Sequence, residues 1–312
     1  MVHSRRSFAM QGPGGLRETI NTMPDRVLKP HAENDDLPPP PTDEFFEEMG
    51  KAGVFLPAAT EVARLSEESR IVVHTHPRSA GADRYRLVLL RLKALQAAKN
   101  LKSILITSPQ PQDGKSTAAL NIATGLAEKG KRSVLLVEAD VHRPVLAQRL
   151  GLKSWPGLTE CFRTKSDPLL AVRRIDPLGF YYLPAGRPLD DDSNLFQPEF
   201  ISQLMKGVAA SFWNWIVIDA PPSTPIADIL VLRAHADATL LVARAGQTPR
   251  EAIEETARNV GRENILGIVL NGVEGLDRVY SSYYSYGNSG KARRKPEKSH
   301  TIASLGLNTH EK

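Results

Sequence analysis

The chain has 312 residues, and 41% of them are hydrophobic, which is enough for one large core or two small ones. The single cysteine, Cys161, excludes an internal disulfide and is typical of a protein from a reducing compartment. The net charge is +5, but six Lys/Arg and two Glu after Gly287 contribute +4 of it without interleaved aromatic residues, so no nucleic-acid partner is expected.

The chain divides into three parts. Residues 1–80 lack hydrophobic periodicity and contain the acidic, proline-bearing stretch ENDDLPPPPTDEFFEE, so we predict a largely disordered arm. Residues 81–275 carry the regular pattern of a folded domain, and residues 276–312 form a flexible tail that is first Tyr-rich and then basic. No apolar run approaches the roughly 20 residues that span a bilayer, and the start lacks the apolar region of a signal peptide. We therefore expect a cytoplasmic protein.

Short apolar runs alternate with amphipathic stretches in the middle part. Strands are predicted at 103–107, 133–139, 180–185, 215–220, 238–245 and 265–271, and helices at 116–130 and 248–261. Nearly continuous apolar strands separated by helices indicate an α/β fold with a doubly wound, mostly parallel sheet. In such a sheet, ligands bind at the carboxyl ends of the strands.

The loop SPQPQDGKST follows the first of these strands and precedes a helix. Strand, Gly-Lys-Ser loop and helix form the context of a phosphate-binding loop, in which backbone N–H groups cradle phosphate oxygens. Gly114 permits close approach, Lys115 can reach the β- and γ-phosphates, and Ser116 can complete a magnesium shell. Pro109 occupies the position of the usual first glycine. The loop predicts a P-loop NTPase core that binds ATP.

Acidic residues follow two further apolar strands. Asp219 ends the run WIVID, and Glu138 and Asp140 stand two residues apart in LLVEAD, on one side of an extended chain. A single acid at a strand end is most often a turn or capping residue. Three of them beside a phosphate loop favour a Mg²⁺–nucleotide site.

Four of the seven tyrosines lie in the window YSSYYSYG, at Tyr280, Tyr283, Tyr284 and Tyr286. Serine and glycine surround them, so they are not placed to supply a core. By composition alone, the window is typical of a disordered tail.

Taken together, these motifs resemble those of the bacterial tyrosine autokinases of capsule and exopolysaccharide synthesis, often called BY-kinases. The resemblance covers residues 82–287 and rests on SPQPQDGKST, LLVEADVHRP, IVIDAPP, LVARAGQT with its following helix, ILGIVLNGV and the tyrosine cluster. Family members use a P-loop core and phosphorylate tyrosines in their own C-terminal cluster, typically between neighbouring subunits. The resemblance implies that the chain is an ATP-dependent protein-tyrosine autokinase that regulates polysaccharide synthesis and export, with the four clustered tyrosines as phosphoacceptors.

The resemblance also implies a role for each site residue. The nucleotide is expected to contact Gln112, Asp113, Gly114, Lys115, Ser116, Thr117 and Asn271. The catalytic residues implied are Lys115, Glu138, Asp140 and Asp219, with Asp140 as the base that accepts the tyrosine proton. Magnesium is expected to be held by Ser116, Asp219 and Glu138.

The chain departs from the family pattern at several motifs, among them the phosphate loop, where Gln112 and Asp113 replace the common Gly-Glu, and the two described next. The usual D-x-D-x-R reads Glu138, Asp140 and His142 here, which keeps the first acid on a longer arm. The oligomerisation pattern E-x-x-R-x-x-R appears only as Asp83, Arg86 and Leu89, which leaves a homo-oligomer possible but a ring in doubt.

Two other functional classes stay open. A partition or division-site ATPase of the same superfamily usually carries a second lysine where Gln110 stands, and it lacks a tyrosine cluster. A nucleotide-binding regulatory subunit with weak catalysis would account for Glu138 and His142. In either kinase or regulatory form, the resemblance implies a transmembrane chain-length or co-polymerase protein that activates the chain and recruits it to the inner face of the plasma membrane.

Overall fold

A computed structural model describes residues 59–188, 198–209, 213–223 and 227–273. Most of the predicted arm and the whole predicted tail, including the four clustered tyrosines, lie outside the described residues. Within the described ranges, no helix has both the length and the apolar content needed to cross a membrane.

Eight strands form one sheet in the part of the chain that the structure describes. They are β1 (Thr60–Val62), β2 (Ser103–Thr107), β3 (Val134–Glu138), β4 (Arg173–Asp176), β5 (Phe180–Leu183), β6 (Trp215–Asp219), β7 (Ala238–Arg244) and β8 (Ile265–Asn271). Their spatial order is β1-β4-β5-β3-β6-β2-β7-β8. All neighbours pair in parallel except the β4–β5 hairpin, which is antiparallel.

Helices connect these strands. They are α1 (Val72–Thr75), α2 (Ala80–Lys99), α3 (Lys115–Ala127), α4 (Leu146–Leu150), α5 (Leu158–Thr164), α6 (Pro198–Ala209), α7 (Ala227–Arg233) and α8 (Arg250–Val260). Helix α2 begins after Ser79, whose side chain accepts a hydrogen bond from the N–H of Ala82 at 3.2 Å, and it ends at Asn100 in the left-handed conformation. Both residue types are typical of the helix ends at which they stand.

Helices cover both faces of the sheet. One face packs Leu89 and Leu92 of α2, Leu120 and Ile122 of α3, and Leu146 and Leu150 of α4. The other face packs Leu158 of α5, Ile201 and Leu204 of α6, and Ile229 and Leu232 of α7. Because both faces are buried, the central strands have no polar face, which explains the nearly continuous apolar runs in the sequence. The predicted α/β fold with a doubly wound, mostly parallel sheet is confirmed.

Two strands were not predicted, β1 and β4. Both are short, β4 reads RRID, and Val62 of β1 is 69% exposed, so neither carries an apolar run. They pair with each other at one edge of the sheet. The described residues from 59 to 80 thus include folded structure inside the segment expected as a disordered arm. The division of the chain into domains stays a prediction.

The segment before α2 is fixed to the core by backbone hydrogen bonds. Arg64 N–H donates to the carbonyl of Leu150 at 2.8 Å. The amide of Asn121 in α3 accepts from Val73 N–H at 3.2 Å and donates to the carbonyl of Arg70 at 2.8 Å. Several residues of this segment, among them Ser66, Arg70 and Tyr85, line the same groove as the loop between β2 and α3.

Candidate functional site

The predicted phosphate loop connects β2 to α3, and its base is hydrogen-bonded to the segment that follows the neighbouring strand β6. Thr107 Oγ1 donates to the carbonyl of Pro221 at 2.7 Å, and Ser223 N–H donates to the carbonyl of Ser108 at 2.8 Å. The backbone then turns through left-handed conformations at Gln112 (φ 69°) and Gly114 (φ 100°). Helix α3 starts at Lys115, so its free N–H groups face the loop.

The side chain of Asn271 lies close against Gly114, so a larger residue at position 114 would have to displace it. A Cβ on Gly114 would lie 1.9 Å from Nδ2 of Asn271. That amide donates to the carbonyl of Asp113 at 3.0 Å. The last residue of β8, predicted as a nucleotide contact, therefore also holds the loop in place.

Asp113 supports the loop through its side chain. Its Oδ2 accepts from Gln110 N–H at 3.0 Å, and its Oδ1 accepts from the hydroxyl of Thr248 at 2.6 Å. The side chain is buried, so a contact between Asp113 and a nucleotide would have to come from its backbone. Thr248 was not predicted as a site residue. The sequence pattern predicts Thr248 only as the first residue of a helix.

Lys115 lies between two acids that come from different strands. Its Nζ is 2.6 Å from Oδ2 of Asp140, 3.8 Å from Oδ1 of Asp219 and 3.3 Å from Oγ of Ser116. Burial alone would lower the pKa of Lys115, but Asp219 and Asp140 outweigh this effect and the pKa is raised. The structure thus brings together the lysine, the serine and two of the three predicted acids.

Asp219 is fully buried, and neither of its carboxylate oxygens has a hydrogen-bond partner of good geometry among the described residues. Burial raises the pKa of Asp219, and the charge of Lys115 and the nearby hydroxyl of Ser116 counteract it only partly. Buried polar atoms are rarely left without partners unless they serve a ligand. A Mg²⁺ ion supplies the missing partner for such a carboxylate.

Glu138 is placed differently from its prediction. Its Oε1 accepts from the N–H groups of Val145 (2.7 Å) and Leu146 (2.6 Å), and its Oε2 accepts from the hydroxyl of Tyr182 (2.5 Å) and, more weakly, from Ala185 N–H (3.4 Å). Burial is the largest influence on Glu138 and raises its pKa, with these hydrogen bonds opposing it. Since a carboxylate has about four lone-pair sites, protein donors occupy all of them. The catalytic and metal-ligand roles expected for Glu138 stay predictions, and this geometry favours a structural role.

A groove of about 1680 Å³ opens above the loop. Its walls include three arginines that the sequence did not single out, Arg70, Arg149 and Arg244. Arg149 donates to Thr117 Oγ1 at 2.5 Å, and Arg244 donates to the carbonyl of Gln112 at 3.3 Å. No local pattern marks these arginines, because their proximity to the loop depends on tertiary packing.

The residues present fit a magnesium–nucleotide pair. In the ranges that the structure describes, no three His, Cys, Asp or Glu side chains form a cluster that would hold a metal by itself. Magnesium bound with a nucleotide usually takes one or two protein ligands and completes its shell with phosphates and water. Ser116 and Asp219 would supply two such ligands, and the loop and the start of α3 would supply the phosphate cradle.

Comparison with known proteins supports this assignment. No protein-family profile matches the chain. It is 28% identical over 230 residues to the tyrosine-protein kinase YwqD of Bacillus subtilis, which covers 73% of this chain and 95% of that relative. It is 29% identical over 208 residues to the succinoglycan biosynthesis transport protein ExoP of Rhizobium meliloti, which covers 65% of this chain but only 26% of that relative. The match thus spans nearly all of the shorter relative and about a quarter of the longer one.

A solved structure agrees with the sequence comparison. The BceF tyrosine kinase domain superimposes with a TM-score of 0.56 at 27% identity, covering 73% of this chain and 87% of that one. The sequence relatives and this solved structure agree with the site geometry, in which a phosphate loop and two acids surround Lys115. In sequence and in fold, the chain is similar to the bacterial P-loop tyrosine kinases, the BY-kinases.

Proposed function

We propose that the chain binds Mg²⁺–ATP and transfers the γ-phosphoryl group to tyrosine hydroxyls in its own C-terminal cluster. The observation that carries the proposal is the position of Lys115, buried beneath a phosphate-loop backbone and flanked by Asp140 and Asp219. A lysine so placed can pair with phosphate oxygens, and the two acids provide separate groups for a metal and for a proton.

The side chains divide the work. Backbone N–H groups from Gln112 to Thr117 orient the phosphates, and Lys115 Nζ pairs with their oxygens. Ser116 and Asp219 would hold the magnesium ion, which neutralises charge on the phosphates when bound. Asp140, whose carboxylate is buried but lines the groove, accepts the proton of the attacking tyrosine.

The proposed acceptors are Tyr280, Tyr283, Tyr284 and Tyr286, which all lie outside the described residues. Tyr181 and Tyr182 are excluded as acceptors because both are buried within β5. We further propose that the cluster of one copy reaches the groove of another, which requires at least a transient homo-oligomer. Leu89, at the end of the weak oligomerisation pattern, packs into the core, and Asp83 and Arg86 pair with each other.

A separate membrane partner completes the proposal. The matched region forms about a quarter of ExoP, which is named for succinoglycan biosynthesis and transport. The described residues of this chain hold no helix suited to cross a membrane. We propose that a transmembrane chain-length protein of a polysaccharide system activates the chain and recruits it to the inner face of the plasma membrane.

The test is phosphotyrosine mapping. The full chain is incubated with Mg²⁺–ATP, alone and with the cytoplasmic segment of a candidate partner, and analysed by mass spectrometry. We expect phosphate on two or more of the four clustered tyrosines and none on Tyr181 or Tyr182. Replacing all four by phenylalanine should remove the signal and leave ATP binding unchanged. ATP binding without tyrosine phosphate in any arm would favour the regulatory-subunit reading, and ATP hydrolysis alone would favour a positioning ATPase.

A further inference from the structure

Glu138 stands where the family motif has its first aspartate, yet the hydrogen-bond donors to its carboxylate all come from residues outside the phosphate loop. It is the last residue of β3 and pairs in register with Asp219 of β6. On the other side, β3 pairs with β5, whose Tyr182 shares the sheet face of Leu136 and Glu138. The glutamate side chain, longer than aspartate by one methylene, extends over this buried sheet face, where Oε2 accepts a hydrogen bond from the hydroxyl of Tyr182 at 2.5 Å.

The same carboxylate closes a loop. Residues 139–144 leave β3 and return to the start of α4, where the N–H groups of Val145 and Leu146 donate to Oε1 of Glu138. This loop carries Asp140, which is further held by a hydrogen bond from Arg143 N–H at 3.2 Å. The loop therefore begins directly after Glu138 and ends at two residues whose N–H groups donate to the Glu138 side chain.

The tie extends to the phosphate loop through α4. This helix carries Arg149, whose guanidinium donates to Thr117 Oγ1 in the first turn of α3. Glu138 thus sets where α4 begins, and α4 sets where Arg149 meets the P-loop helix. A shift of the start of α4 would move Asp140 and Arg149 together.

We propose that Glu138 is a positioning residue that holds the Asp140 loop and helix α4 against the active site, with Tyr182 as its partner, and is not a magnesium ligand. The inference rests on the proposed kinase function for its effect on rate. The placement itself rests only on the four donors and on the complete burial of the carboxylate.

A positioning role and a magnesium-ligand role for Glu138 predict opposite effects for substitution by aspartate and by glutamine. Glu138→Asp retains the charge but withdraws the carboxylate by about 1.5 Å, beyond hydrogen-bond range of its donors. Glu138→Gln retains the length, so its amide oxygen can still accept from Val145 and Leu146, while its NH₂ group can donate to the oxygen of Tyr182. A positioning residue tolerates glutamine better than aspartate, whereas a metal ligand tolerates aspartate better than glutamine.

The experiment uses the full chain and three measurements. They are hydrogen exchange of the segment 139–149, the Mg²⁺ dependence of binding of a fluorescent ADP analogue, and kcat and KM for ATP with a synthetic peptide containing YSSYYSYG. For Glu138→Asp we expect faster exchange, unchanged Mg²⁺ dependence and a loss of kcat of about tenfold or more with little change in KM, because the base is displaced. Glu138→Gln should stay close to wild type in all three.

Tyr182→Phe provides a second variant that keeps Glu138. It removes one donor, so exchange of residues 139–149 should accelerate and kcat should fall, again without a change in Mg²⁺ dependence. Tyr181→Phe is the matched control, because Tyr181 lies on the opposite sheet face against Trp213 and should leave these quantities unchanged.

The inference is overturned if Glu138→Gln abolishes the Mg²⁺ dependence while Glu138→Asp behaves as wild type, or if the two tyrosine variants show the same exchange. If the wild-type chain transfers no phosphate to tyrosine, the proposed function fails. The exchange and magnesium measurements still decide between a positioning residue and a ligand.

Discussion

Lys115 Nζ lies 2.6 Å from Oδ2 of Asp140, within hydrogen-bond range of the carboxylate proposed as the base. The ammonium group has three N–H donors, and Ser116 and Asp219 also lie within 4 Å of it. Phosphate oxygens and Asp140 therefore compete for the same cation. Under the proposed function, we therefore expect nucleotide binding to release Asp140 and to make its carboxylate available to a tyrosine hydroxyl.

Lys115→Met should weaken Mg²⁺–ATP binding by about ten- to a hundredfold, since a charge-assisted hydrogen bond contributes about 1.5–3 kcal/mol. It should also lower stability, because Asp140 and Asp219 lose their shared cation. Titration calorimetry at a temperature where circular dichroism shows a folded chain measures the affinity. Lys131→Met, an exposed lysine beyond the far end of α3, is the control. Unchanged affinity in the Lys115 variant would remove the phosphate-loop assignment.

Asp140→Asn and Asp219→Asn should impair different steps. The first should leave nucleotide affinity nearly intact and reduce kcat by about 10²- to 10⁴-fold, the range of a general base. The second should reduce the Mg²⁺ dependence of nucleotide binding, because Asp219 has two buried oxygens free for a metal. Binding titrations with and without Mg²⁺, together with single-turnover kinetics, separate these effects. Identical defects in both variants would contradict the division of roles.

The pH dependence of stability should report on Asp219. Burial raises the pKa of Asp219, so its carboxyl group binds a proton more tightly in the folded chain than in the unfolded chain. Protonation of Asp219 therefore adds to the free energy of unfolding. This contribution is complete below the ordinary pKa of about 3.9 and is lost as pH rises through the folded-state pKa. Without nucleotide, Asp219→Asn should therefore be more stable than wild type at pH 7, with the advantage shrinking towards pH 4. Urea titrations at both pH values measure it, and an advantage that grows on acidification would refute the prediction.

Gly114→Ala should distort the site. Its φ of 100° is unfavourable for an L-residue by about 1–2 kcal/mol, and the new Cβ would collide with Asn271. We expect lower thermal stability and weaker ATP binding. Gly267→Ala is the matched control, because a Cβ there meets no atom within 4 Å and alanine favours a strand over glycine by about 0.5–1 kcal/mol. Equal effects of both substitutions would show that the close approach to Asn271 has no consequence.

Much of the fold could be predicted because the central strands are local apolar runs. Strands β2 and β8 were predicted with their observed limits, and β3, β5, β6 and β7 within two residues. Strands β1 and β4 could not be predicted. They are short and polar, so no apolar run marks them, and among the described strands β1 pairs only with β4, which is distant in the sequence.

The amino-acid sequence by itself determined the phosphate loop and the place of Asp140 and Asp219 at strand ends, since these depend on neighbouring residues and on a parallel sheet. It also carries the tyrosine cluster, whose role as acceptor stays a proposal. Only the tertiary structure decided which partners the long side chains contact. Glu138 meets Tyr182 because β3 and β5 pair in one register, and Arg149 meets Thr117 because α4 packs beside α3. Such contacts join residues that are tens of positions apart, and no spacing in the sequence encodes them.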